Sequence, residues 1–96
     1  MKSIYTITTL RGNIHEGIRC VGFSHELKDA IGLVENNAMD INEAQYYWYV
    51  VIEKVNPGIY NGTLEQVWFK WRKGKGYQKL SETPDQFKHT GGFGIG

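Results

Sequence analysis

The run Trp68-Phe69-Lys70-Trp71-Arg72-Lys73-Gly74-Lys75-Gly76-Tyr77 interleaves aromatic rings with cations. Aromatic faces stack on bases while lysine and arginine neutralise phosphate, a combination used by single-strand and nucleotide binders. Arg11 and Arg19 lie on either side of a glycine-bounded connection and add two guanidinium groups, each able to hold phosphate bidentately. The same residues also describe a plain hairpin whose rings enter the core and whose charged tip protects an edge. Arg19 can equally pair with a carboxylate on the sheet surface. The sequence leaves both readings open.

Other chemistries find little support. His15, His25 and His89 are widely separated and there is one cysteine, so no spacing fits a metal site and no cofactor is expected. Cys20 falls within a strand-like segment, where a free cysteine is expected to be buried and inert. Glu53 and Glu65 lie near strand ends with no evident partner, which gives glycosidase-like chemistry no basis. Gly91-Gly92-Phe93-Gly94-Ile95-Gly96 resembles a phosphate loop only superficially: no helix follows it, and no Lys-Ser/Thr pair closes it. No catalytic residue is assigned, and a binding protein is expected rather than an enzyme.

The bounds are those of one domain, residues 1–96, large enough for a modest core without metal or disulfide. Rings are abundant, with 3 Trp, 6 Tyr and 4 Phe, more than a small core readily buries, so some are expected in a pocket or interface. A formal charge of +1 gives no general pull toward nucleic acid, which is disfavoured as a partner. The opening residues alternate apolar and hydroxyl side chains and carry no export signal, and no apolar run is long enough to span a bilayer. With a lone cysteine, the expected compartment is the cytoplasm, and no membrane partner is expected.

These residues must be held by a small set of elements. The alternation over Met1–Leu10 predicts a strand, and Ile18–Phe23 a second, paired as a hairpin. Ser24 is placed to cap a helix in which Leu27, Ala30, Ile31, Val34 and Ala38 form one apolar stripe, closing near Asp40. Tyr46–Val55 is the most strand-like segment and is apolar on both faces, so it is expected at the sheet centre. Asn56-Pro57-Gly58 predicts a turn. Residues 65–72 alternate, with Val67, Phe69 and Trp71 on one side and Trp68 as the exception, and turn through glycines into Tyr77–Leu80. Thr83-Pro84-Asp85 predicts a short helix through about Lys88.

The resulting expectation is an α+β fold: a mainly antiparallel sheet of about five strands, one amphipathic helix and a short C-terminal helix. One helix covers one face of the central strand. The other face needs a different cover: a second subunit, a ligand, or the glycine-rich tail of residues 89–96, anchored by Phe93 and Ile95.

Arg19-Cys20-Val21-Gly22-Phe23 before an amphipathic helix, Val51-Ile52-Glu53-Lys54-Val55 followed by Pro57-Gly58-Ile59-Tyr60, then Trp68-Phe69-Lys70-Trp71 and a terminal Gly92-Phe93-Gly94-Ile95-Gly96 together resemble one group. It comprises short, largely uncharacterised proteins of Gram-positive bacteria and their phages or prophages, and the likeness spans nearly the whole chain. The resemblance implies a phage-associated accessory protein acting in the host bacterial cytoplasm. Small phage proteins of this sort often counter host defence, some by sequestering cyclic-nucleotide or ADP-ribose-type signals in oligomer pockets. The resemblance carries over no binding residues.

The function expected is therefore an oligomeric anti-defence sponge for a nucleotide-derived signal. Trp68, Trp71 or a tyrosine of the central strand would stack the base, Arg11, Arg19, Arg72 and Lys73 would hold phosphate, and Phe93 would close the pocket. The alternatives are a protein-interaction inhibitor of a host defence protein and a small enzyme degrading such a signal.

Overall fold

The computed structural model describes residues 3–11, 17–36, 48–58, 63, 65–72, 75–88 and 92–93. Five strands form one antiparallel sheet: β1 (Ile4–Leu10), β2 (Arg19–Ser24), β3 (Tyr49–Val55), β4 (Gln66–Arg72) and β5 (Gly76–Lys79), in the order β2-β1-β3-β4-β5. Between β2 and β3 runs one helix, α1 (Leu27–Glu35), and after β5 comes a single 3-10 turn over Asp85–Phe87. The α+β architecture thus follows the expectation. The strand-like pattern at Tyr46 and Tyr47 lies outside the described residues.

The alternation in each strand decides what its two faces meet. Ile7 pairs with Ile52, and Thr9 with Val50 and Arg19, on the side covered by α1. Here Ile7, Val50, Ile52, Phe69 and Tyr77 pack with Ala30 and Val34 of the helix. The opposite side carries Leu10, Tyr49, Val51 and Trp68, closed by Phe87 of the 3-10 turn and by Phe93. The central strand is covered on both faces, as its apolar pattern requires. Trp68 is no exception to the alternation of β4: it belongs to this second, aromatic layer.

The helix differs from its expected span. Ser24 does not cap it; the Ser24 hydroxyl accepts the Glu26 N–H at 3.4 Å, and Glu26 stands at the cap position without a side-chain capping bond. Asn36 closes the other end, its N–H donating back to the Gly32 carbonyl at 2.9 Å. Residues 37–40, expected to continue the helix, lie outside the described residues. The short C-terminal helix is only the 3-10 turn, with Pro84 preceding it and the Phe87 N–H bonded to the Pro84 carbonyl at 3.0 Å. At the turn after β3, Gly58 has a φ of 109°, the left-handed conformation expected after Pro57. Among the described residues, no helix is long and apolar enough to cross a membrane.

Candidate functional site

Antiparallel pairing brings distant segments to one end of the sheet. Leu10, at the end of β1, pairs with Tyr49 at the start of β3, and Tyr49 pairs with Lys70 near the end of β4. Thr9 pairs with Arg19 at the start of β2, and Arg72 with Gly76 at the start of β5. Every arginine of the chain, Arg11, Arg19 and Arg72, therefore falls at this end, and all three are exposed. Trp48 enters β3 here, its carbonyl accepting the Trp71 N–H at 2.8 Å, and its side chain is 55% exposed. Among the described residues, Arg19, Arg72 and Lys70 make no ion pair.

On the aromatic side of this end lies a cleft of about 340 Å³. Tyr49, Lys70 and Arg72 form one wall, and Leu80 and the segment through Gln86 form the other. Lys70 and Arg72 are two residues apart on one strand, so both project to the same side. Lys70 Nζ stands 5.9 Å from the centre of the Tyr49 ring, a cation–π arrangement that holds the ammonium at the cleft wall. Behind Tyr49 the ring of Phe87 packs edge-on at 5.5 Å. A second cavity of about 220 Å³ is lined by Gln66, Trp68 and Lys79, and shares the Leu80–Thr83 segment with the first.

The expected site residues thus separate into groups. Arg11, Arg19, Trp71 and Arg72 share the sheet end, with Arg72 in the cleft. Trp71 is half-buried on the helix side, edge-on to Tyr77 at 5.2 Å. Trp68 is only 2% exposed, stacked on Phe87 at 5.1 Å and edge-on to Phe93 at 5.3 Å. Phe93 is likewise packed into this aromatic layer. Lys73 lies outside the described residues, as do His15, His89 and Ile95. Tyr49, one of the central-strand tyrosines expected to stack a base, and Lys70, from the basic-aromatic run, meet in the cleft through the pairing of β3 with β4.

Two expectations about single residues are corrected. Cys20 is exposed, not buried, because β2 is the terminal strand of the sheet and Cys20 sits where the β1 register shifts around Val21. Glu53 and Glu65 have partners. Glu65 meets Lys54 at 3.5 Å. Glu53 is fully buried and accepts from Gln66 Nε2 at 3.0 Å and from the Phe93 N–H at 2.9 Å. Gln66 in turn accepts from Trp68 Nε1 at 3.3 Å. A buried carboxylate stands only where donors replace water, and here those donors tie Phe93 to the sheet.

Among the described residues no group of histidine, cysteine, aspartate and glutamate side chains is arranged to hold a metal. No protein-family model, curated protein or solved structure matches this chain. What the site can do therefore rests on its own geometry: two cations beside an aromatic ring, in a cleft open to solvent.

Proposed function

We propose that the chain is a non-enzymatic binding protein that sequesters a nucleotide-derived anion at the arginine end of its sheet. The observation that supports this reading is the cleft itself, where Lys70 and Arg72, unpaired with any described carboxylate, flank Tyr49. Arg is suited to bidentate phosphate recognition and Lys to a point contact. Trp68 and Phe93 enter the reading as the packed layer behind Tyr49 and Phe87. Arg11, Arg19 and the exposed Trp48 extend the basic-aromatic surface around the sheet end, where a second copy of the chain would complete a larger pocket. The biological role that goes with this reading is the one the family resemblance implies, a phage-type accessory protein that removes a host signal in the bacterial cytoplasm.

Calorimetry with a panel of cyclic nucleotides and ADP-ribose derivatives, with native mass spectrometry of the same mixtures, tests the proposal. Binding of at least one ligand, released unchanged on heating, is the expected result. Release of a converted product would make the protein an enzyme instead. A monomer that binds none of them would overturn the proposal. The second reading, direct inhibition of a host protein, draws on the exposed Trp48, Phe23 and Ile18. A stoichiometric protein retained from host lysate, with no small molecule, would favour it.

A further inference from the structure

The cleft has two walls of opposite character. Facing Lys70 and Arg72 are Ser81, Glu82, Thr83 and Asp85. Opposite charges on facing walls gain by closing into ion pairs, yet no described ion pair joins Lys70 or Arg72 to Glu82 or Asp85. Asp85 is instead turned to Lys88 at 2.8 Å, and Lys70 to the Tyr49 ring. The cleft thus carries cations on the strand side and carboxylate and hydroxyl acceptors on the segment after β5, with no described ion pair between them.

That polarity selects among anions. A bare polyanion gains at Lys70 and Arg72 but meets the carboxylates of Glu82 and Asp85, which Lys88 neutralises in part. A ligand with phosphate at one end and hydroxyl donors at the other satisfies both walls, because an ionised carboxylate accepts O–H bonds with charge assistance. The volume of about 340 Å³ lies at the low end for ligand pockets, on the scale of one nucleotide and too small for two.

We infer that the cleft takes a ribose phosphate of nucleoside-monophosphate size, its phosphate against Lys70 and Arg72 and its ribose hydroxyls donating to Glu82 and Asp85. The inference rests on the binding reading above and narrows the ligand class within it. Tyr49 and Leu80 supply the apolar surface between the two walls.

Calorimetry on the full chain, with the four ribonucleoside 5′-monophosphates, their 2′,3′-dideoxy analogues and inorganic pyrophosphate, separates the possibilities. At least one ribonucleotide should bind, and its dideoxy analogue should bind tenfold or more weakly. The double variant Glu82→Gln, Asp85→Asn, at exposed positions, should lose the ribonucleotide preference while binding pyrophosphate at least as well as the parent. If dideoxy analogues match the ribonucleotides, or the double variant keeps the preference, the acceptor wall plays no part; the inference falls and the anion-binding reading stands. If neither ribonucleotides nor pyrophosphate bind, this inference falls, and the binding reading is decided separately by the cyclic-nucleotide and ADP-ribose panel.

Discussion

The two faces of this sheet are closed in different ways. On the helix side, α1 lays Ala30 and Val34 against Ile7, Val50, Ile52 and Phe69, an aliphatic interface organised by one amphipathic element. On the other side, Trp68, Phe87 and Phe93 form an aromatic cluster, and a buried carboxylate, Glu53, fixes the Phe93 backbone. A helix brings its own satisfied backbone to a sheet face. Irregular chain does not, so its polar groups need side-chain partners. Glu53 meets that need, and the cleft opens on the irregular side, where the cover is a loop and a short turn.

The largest effect expected from breaking this comparison is on the helix side. Phe69 is fully buried in β4, and Phe69→Ala should cost about 3–5 kcal/mol through lost burial and a residual cavity. Urea unfolding followed by far-UV circular dichroism measures it. Such a loss is a large part of the roughly 5–15 kcal/mol that holds a typical domain together. A cost below about 1 kcal/mol would show that the helix-side core does not carry the fold.

A smaller and more local effect is expected on the aromatic side. No backbone–backbone hydrogen bond among the described residues joins Gly92 or Phe93 to the sheet. Phe93 is held by its ring and by its N–H on Glu53. Glu53→Ala leaves that N–H and Gln66 Nε2 without their acceptor, a penalty of about 1–3 kcal/mol for each donor that water cannot reach. The expected outcome is a shift of tryptophan fluorescence, since Trp68 touches Phe93, with the far-UV spectrum retained. If Glu53→Ala lowers the urea midpoint as far as Phe69→Ala does, the two faces melt as one unit and the contrast between them fails.

Much of the fold was legible from side-chain periodicity. Apolar alternation placed the strands, and the two-sided pattern of β3 required a cover on both faces. The aromatic layer was harder to read because Trp68 shares its face with Gln66, Lys70 and Arg72, so the apolar signal of that face is diluted by residues near the cleft and the sheet edge. A signal for Glu53 was present: it shares parity with Tyr49, Val51 and Val55, a lone acid on an apolar face. Arg11, Arg19 and Arg72 could be grouped by residue type as phosphate holders but not placed at one end of the sheet, because that depends on β1 pairing with β3 across a long intervening segment. Periodicity states which way a side chain points and is silent on which strand lies beside it.

The smallest effect at neutral pH concerns Tyr77, an ionisable side chain buried in the helix-side core. Tyr77 is buried against Trp71, and burial pushes its phenol well above the ordinary tyrosine value because the anion would be poorly solvated. In the unfolded chain the phenol deprotonates near pH ~10. Above that pH the unfolded state binds fewer protons than the native one, so stability falls as pH rises toward the higher folded value, and is fully present below pH ~10. Tyr77→Phe, which keeps the ring packed on Trp71, should change stability at neutral pH by no more than about 1.5 kcal/mol, and should flatten the alkaline decline. Urea midpoints measured from pH 8 to 11 check this. Parallel declines in parent and variant would place the alkaline sensitivity at a group other than Tyr77.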